Sequence, residues 1–289
     1  MELWLAREHF ELSDPYEHVG FQVRSAFDVV AGAGWRITLP FQLLNEFWLV
    51  REGSVEISLG ERTQIIHAPS VALLPIGTGR DTRHIAGRQL SILGFSFDAR
   101  LWGALDFVRT LDLPFSWPLD VTPFEPLLSQ MINETRGKRA GYSLAVAGLA
   151  QLAFVELLRS RPQGGEGVRS QIGALARYPE LSRALELAGA RFDEPLSVSD
   201  MARAAHLSPK HFGAKFRMAL GLTPMEFLRS VRLHRARDLL ASGADGVATI
   251  SRRTGFEAPA HFSRAFKREF GVSPKAFRRS LGRQERESE

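Results

Sequence analysis

Pro209-Lys210-His211-Phe212-Gly213-Ala214-Lys215-Phe216 and Pro259-Ala260-His261-Phe262-Ser263-Arg264-Ala265-Phe266 are one pattern written twice, 50 residues apart. At that shift Pro209, His211, Phe212, Phe216, Gly221, Pro224 and Phe227 fall on Pro259, His261, Phe262, Phe266, Gly271, Pro274 and Phe277. Seven identities in a 19-residue window mark an internal duplication. Upstream the shift is 49, with Val198 on Val247, Met201 on Ile250 and Leu207 on Phe256, so the second unit carries one extra residue in its turn.

Each unit has the grammar of helix, tight turn, helix. Ser197-Val198-Ser199-Asp200 supplies an N-cap and an acidic partner three residues later. Ser208-Pro209 opens the next helix, Pro occupying a first-turn position whose N–H has no intrahelical partner, and Gly221 ends it. In the second unit Gly255 sits in the turn and Phe256 is its apolar anchor. The pairs Phe212/Phe216 and Phe262/Phe266, at i and i+4, share one helix face and leave the intervening polar residues outward.

Between the units, Thr223-Pro224-Met225-Glu226 is a capping box with Pro at the first helical position. The helix it starts is expected to run to about Ala241, ~27 Å of rod. Met225, Leu228, Val231, Ala236, Leu239 and Leu240 fall on more than one of its faces, as they would if a module packs at each end. Successive major-groove segments on one face of B-DNA lie roughly 34 Å apart, so such a spacer fits two recognition helices in consecutive grooves. Because the two units differ in sequence, the site they read is expected to be asymmetric. A protein-binding helical solenoid is the competing reading, but solenoids generally need three or more copies.

Charge favours DNA over the solenoid. From Pro195 to Gly282 there are 16 Lys and Arg against 6 Asp and Glu, a net of +10, which leaves the remainder with 21 against 26, a net of −5. A basic third fits a polyanion partner, since Lys and Arg that neutralise phosphates release condensed counterions. Charge alone does not separate DNA from RNA, an anionic membrane or a merely soluble basic face.

The first half has a different period. Trp35-Arg36-Ile37-Thr38-Leu39, Ser54 to Leu59 and Gln89 to Leu93 alternate apolar and polar residues as half-buried strands do, with Glu52-Gly53 and Gly60-Glu61 as turns. Short antiparallel strands of this kind must close or pack face to face, so a small barrel or jelly roll is expected. From Pro123 the pattern turns helical: Phe124 to Glu134, then Ser143 to Arg159 presenting Leu144, Leu149, Leu152, Val155 and Leu158. Arg161-Pro162-Gln163-Gly164-Gly165-Glu166-Gly167 reads as a domain boundary. The expected fold is α+β, with a cupin-like barrel or jelly roll and its helices at 1–161. An all-α domain with two helix-turn-helix modules joined by a long helix follows at 170–283.

The 289 residues suffice for two domains, and 44% hydrophobic with 24% charged content is that of a soluble globular chain. No apolar run reaches roughly 18 residues, Ser143 to Leu158 being interrupted by Gly148, Gln151 and Glu156, so no membrane span is expected. Met1-Glu2-Leu3-Trp4 does not read as a signal peptide. The absence of cysteine excludes disulfides and thiol chemistry. Cytoplasmic residence is the simplest expectation.

The duplicated segment resembles the AraC/XylS family of bacterial transcription regulators from Leu196 to Arg279. The resemblance is most specific at Gly255-Phe256, Phe262 to Arg268 and Phe270-Gly271-Val272-Ser273-Pro274, and in the spacer at Arg232-Leu233, Ala236-Arg237 and Leu239-Leu240. It implies sequence-specific binding of double-stranded DNA near promoters. It also implies a cupin-type domain for sensing and homodimerisation, with Phe124 to Arg159 a place for the interface, and RNA polymerase as a partner if the protein is an activator.

Carried over by position, the first recognition helix presents Lys210, Gly213 and Ala214, and the second Ala260, Ser263 and Arg264. The family often has Arg where Ala214 stands and a polar residue where Gly213 stands. Neither small residue makes a bidentate base contact, so Lys210, and Ala214 against a thymine methyl, are left to read for the first module. Arg264 is the strongest candidate for guanine. Ser208, His211, His261, Lys267 and Arg268 suit phosphate, which positions without specifying, although both histidines also fit a solvated helix surface.

A barrel of roughly 100 residues can enclose a small-molecule effector. Trp35, Ile37, Phe47, Trp48, Val50, Leu74 and Phe95 are candidate walls, with Arg36, Glu46 or His84 as polar partners. Cupin metal chemistry needs clustered histidines and a carboxylate, whereas this segment holds only His67 and His84, with no His-x-His, so no metal, cofactor or enzymatic activity is expected. A DNA-repair alkyltransferase, which can carry such a DNA-binding domain, needs a nucleophilic cysteine. An architectural, sequence-indifferent DNA binder remains as a competing function.

Overall fold

The computed structural model describes residues 19–160 and 178–279, except 40, 41, 43, 78, 86, 112 and 244. The N-terminal reading at Met1–Trp4, the boundary stretch Arg161–Gly167 and the outer limits expected for both domains lie outside the described residues.

Among the described residues, ten strands occupy the first half: β1 (Val19–Ala31), β2 (Arg36–Leu39), β3 (Asn45–Glu52), β4 (Ser54–Leu59), β5 (Arg62–His67), β6 (Ser70–Leu74), β7 (Arg80–His84), β8 (Leu90–Leu101), β9 (Leu105–Asp106) and β10 (Ser116–Pro118). One sheet has the order β1-β8-β3-β6-β10, with β9 also on β8, and a second has β2-β7-β4-β5, all pairs antiparallel. Among the described residues the two sheets share no paired edge, so of the expected barrel or jelly roll the chain adopts the two-sheet, face-to-face form. The expected strand at Ser54–Leu59 and the turns at both its ends are as read from the alternation.

Period two explains how the first sheet serves two cores. On β3, Trp48 and Val50 point toward the second sheet and meet Val55, Ile57 and Ile66, while Phe47 and Leu49 point the opposite way. β8 is buried at all twelve positions, more than the half-burial its first residues suggest, because it lies between β1 and β3 and is covered on both faces. That side is closed by α2 (Glu125–Gly137) and α3 (Tyr142–Ser160), with a short α1 (Phe107–Thr110) before them. Phe154 of α3 meets Phe97 edge-on at 5.3 Å and Phe124 stacks on Phe47 at 5.8 Å.

Two expectations about α3 are corrected. The buried residues are Val146, Leu149, Ala150, Ala153, Phe154 and Leu157. Of the stripe expected to pack, Leu144, Leu152 and Val155 are instead 79%, 54% and 37% exposed. The helix is apolar on both sides, and the Phe154 face fits the aromatic cluster. Its 19 residues also make it long and apolar enough, by composition, to cross a bilayer, despite Gly148, Gln151 and Glu156; a third of it is buried against the protein.

The second half is helical: α4 (Glu180–Ala190), α5 (Val198–Ala204), α6 (Pro209–Leu220), α7 (Pro224–Ala241), α8 (Val247–Arg253) and α9 (Pro259–Phe270), with residues 274–279 also helical. Both capping boxes form, Ser197 with Asp200 and Thr223 with Glu226, and Gly221 closes α6 in the left-handed region. The second unit keeps the turns with poorer caps, since neither Gly246 nor Ala258 makes a side-chain cap bond. Gly255, at φ +75°, has room for no side chain, because a Cβ would meet Arg232 Nε at 2.8 Å. That guanidinium donates to the Phe192 and Glu194 carbonyls, both at 2.7 Å.

α7 is shared between two cores. Phe227, Leu228 and Val231 belong to the same continuous core as Phe212, Phe216, α4, α5 and the helix-covered face of the first sheet. Leu233, Ala236 and Leu240 belong to a separate core with Ile250, Phe262, Phe266, Phe270 and Phe277. Met225, expected among the packing residues, is 42% exposed.

Gly94, opposite Phe27 and Trp48 in the middle of β8, tests the sheet packing. A Cβ there would lie 2.5 Å from both the Phe27 ring and the Phe47 carbonyl. Gly94→Ala is expected to lower the unfolding free energy by ~1–3 kcal/mol, as overpacking does, with a urea midpoint lower than that of the unaltered chain.

Candidate nucleic-acid interface

The second helix of each module is built alike. Phe212 and Phe216 are fully buried with rings 5.3 Å apart, and Phe262 and Phe266 are fully buried at 5.6 Å. Anchoring one face in this way turns the other outward. On α6, Lys210, His211 and Ala214 are exposed and Gly213 is half-buried with open space above it. On α9, Ala260, His261, Arg264, Lys267 and Arg268 are exposed and Ser263 is half-buried.

Ser208 is engaged locally. Its Oγ accepts the His211 N–H at 3.4 Å and lies 3.1 Å from His211 Nδ1, so cap and histidine hold each other at the helix start. Lys215 is bound to Glu180 at 2.6 Å and lies over the Tyr178 ring, which restrains that cation. The outward charge is therefore unequal: α9 exposes Arg264, Lys267 and Arg268, and α6 exposes Lys210 and Arg217. Arg252 and Arg253, in the last turn of α8, were not singled out from sequence. Arg253 pairs with Asp245.

Behind the exposed faces lies a buried charge chain that no local pattern announces. Arg237 of α7 donates to Asp98 of β8, and Arg100 Nε donates to the same carboxylate at 2.7 Å. Arg100 Nη1 also lies 3.8 Å from Asp106. Burial alone would raise the Asp98 carboxyl, but the Arg100 and Arg237 guanidiniums outweigh it and hold the group below its ordinary range. His234, one turn before Arg237, is held well below the usual histidine range by burial and by the cations Arg100, Arg237 and Arg109.

The residues expected around an effector separate into two groups. Trp35 and Trp48 lie 6.4 Å apart between the sheets, and Glu46 accepts from Trp48 Nε1 at 2.8 Å. Arg80, absent from the sequence expectation, completes this cluster with an ion pair to Glu46 at 2.5 Å and its guanidinium 4.9 Å from the Trp48 ring. Arg36 is not part of it. It sits on the outward face of β2, pairing with Asp81 at 2.5 Å, because alternate residues of a strand point oppositely. His84 is tied to the Arg88 carbonyl through Nε2 at 3.0 Å. Phe47 and Phe95, expected as pocket walls, stack on each other at 5.2 Å on the helix-covered side.

This is a pair of helix-turn-helix modules carried behind a β-sandwich. Residues 201–280 match the family described as a helix-turn-helix domain. The chain is 25% identical over 170 residues to the regulatory protein PocR of Salmonella typhimurium, covering 54% of this chain and about half of that relative's length, 53%. Among solved structures, an AraC-type transcriptional regulator from Chromobacterium violaceum is 30% identical. The alignment covers 37% of this chain and 96% of that one, with a TM-score of 0.36. ToxT from Vibrio cholerae aligns over 91% of this chain and 97% of its own, at 13% identity and a TM-score of 0.48. The family match makes residues 201–280 a helix-turn-helix domain, and over this part the chain is similar to the helix-turn-helix regulators named above.

The charge chain predicts a pH dependence. The folded His234 ring resists a proton that the unfolded chain accepts near pH 6.5, so its contribution is present above about 6.5 and is lost as pH falls below it. Asp98, held low, adds stability above the ordinary carboxylate range near 4 that is lost on further acidification. Asp98→Asn leaves two buried guanidiniums short of an anion and is expected to cost ~3–5 kcal/mol. Urea unfolding from about pH 2 to 8 checks both effects, and His234→Gln is expected to flatten the slope below about 6.5.

Proposed function

We propose that the protein is a sequence-specific regulator of transcription that reads double-stranded DNA with α6 and α9 in consecutive major grooves. The observation that carries this reading is the duplicated geometry itself: two buried Phe pairs aim two basic, unobstructed helix faces outward from one spacer. The DNA-binding domain is assigned to 170–283 and the sensing or dimerising domain to 1–161. The protein is read as a cytoplasmic non-enzyme, with RNA polymerase as partner if it activates.

Arg264, exposed and with no hydrogen-bond or ion-pair partner among the described residues, is the base reader of the second module, a guanine partner. Lys267 and Arg268 follow it on the exposed side and suit phosphate. The first module presents Lys210 and the smooth Gly213–Ala214 surface, and Ser208, His211, Ala260, His261 and Ser263 complete the contacting set. Control by a small-molecule effector is supported by the Trp35, Glu46, Trp48 and Arg80 cluster between the sheets. A homodimer is supported by the exposed Leu144, Leu152 and Val155 row on α3, whose natural cover is the same row of a second copy.

Binding to a selected site and to random duplex at fixed salt tests the regulator directly; a ratio near one would favour the architectural reading. Arg264→Ala is expected to cost ~1–3 kcal/mol and to relax preference at one base pair. Lys267→Ala is expected to weaken all sequences alike and to reduce the salt dependence. Uniform weakening by Arg264→Ala would reassign that residue to phosphate. Leu152→Asp, on the dimer face, is expected to shift the sedimentation profile to monomer while leaving the circular dichroism spectrum unchanged.

A further inference from the structure

Where the sandwich meets the helical half, several parts of the chain, Ile76 and Gly77 among them, line a half-open cavity of about 270 Å³. One wall is the β8–β9–α1 segment, the second is α7 with the turn before it, and the third is the C-terminal end of α9. A molecule seated there touches the sandwich and both helix-turn-helix modules together.

The polar lining has unmet hydrogen-bonding capacity. His234 is 5% exposed, with its ring edge-on to Phe270 at 5.2 Å. Its Nδ1 lies 2.8 Å from the Ser230 carbonyl and so carries the proton, which leaves Nε2 as an acceptor with no partner among the described residues. Burial and the surrounding arginines keep that ring neutral, so the acceptor persists. Arg100, also buried, has an Nη2 without a partner among the described residues. Arg109 spends one N–H on the Ile76 carbonyl at 2.7 Å and is otherwise exposed at the cavity.

The acidic groups set the limit on ligand charge. Asp106 is engaged on both oxygens, accepting from the Arg109 backbone and from Asn45. Glu269 stands exposed on the wall supplied by α9, and Asp98 lies behind, bound by Arg100 and Arg237. These carboxylates favour one negative charge on a ligand over two. The unmet needs are therefore a hydroxyl donor for His234 and a single oxyanion for the guanidiniums, and Leu105 and Phe270 supply a short apolar side.

We infer that this junction binds a small hydroxymonocarboxylate, its carboxylate on Arg109 with Arg100 behind, and its hydroxyl donating to His234 Nε2. The site is distinct from the cluster between the sheets and rests on the effector-controlled reading above only for its regulatory meaning, since occupancy would pin α9 to the sandwich. Titration calorimetry of the full chain with lactate, propionate and glycerol, without DNA, tests it. Lactate is expected to bind at least about tenfold more tightly than propionate, which lacks the hydroxyl, or glycerol, which lacks the charge.

Arg109→Gln, at an exposed position that leaves the fold intact, is expected to weaken lactate by about tenfold or more. His234→Leu is expected to do the same, with His234→Gln, which retains an acceptor, partly restoring it. Equal binding of lactate and propionate, no binding of lactate, or unaltered binding by Arg109→Gln overturns the inference. Because operator binding by the unliganded chain is measured separately, its failure counts against the regulator reading alone.

Discussion

One helix, buried along two different faces at two heights, organises everything after residue 178. The N-terminal half of α7 gives Phe227, Leu228 and Val231 to one core, and its C-terminal half gives Leu233, Ala236 and Leu240 to another. A helix repeats its faces every 3.6 residues, so the step from Val231 to Leu233 rotates the apolar side by roughly 200° and hands it to the second module. The Thr223–Glu226 capping box fixes where that rotation begins. Shifting the start by one residue would misalign both modules at once.

The same helix is gripped from the side by a charge chain whose value lies in direction more than in strength. Two guanidiniums share Asp98, and each retains one nitrogen without a partner, Arg100 Nη2 and Arg237 Nη1. Taking such ions from water costs several kcal/mol apiece, and hydrophobic replacements of like volume are often as stable. Apolar side chains slide over one another with little change in energy, whereas an ion pair in low dielectric falls off steeply with displacement. Asp98 and Arg237 thus define one seating of α7 on β8.

What could be read from the chain was what is local. Caps at Ser197, Ser208 and Thr223, the αL glycine at 221 and the paired phenylalanines carry their geometry within four residues, and each is as expected. The strand at Ser54–Leu59 was equally legible from alternation and flanking turns. The outward row of α3 was not, because a helix apolar on both sides has no period to choose between them. Sheet closure depends on edges meeting across the whole domain, which no segment encodes. Arg36 fell on the wrong side of its strand, where one residue of parity decides everything, and its place beside Trp48 is taken by Arg80 from another strand. Asp98 and Arg237 lie 139 residues apart, so their pairing leaves no mark on spacing or composition.

The two helix-turn-helix modules, alike in sequence, are unlike in what would happen to them under load. The first shares its apolar interior with the sandwich without a break, from Phe97 and Phe154 through Leu185 to Phe216, while the second closes on itself around Phe266. Cooperative opening follows such continuity, so the boundary between folding units falls midway along α7, inside the repeat rather than at the Pro/Gly stretch that separates the halves in sequence. Heat, denaturant or a pulling force would release the distal module as a separate event, whereas the proximal one would persist until the sandwich itself gave way.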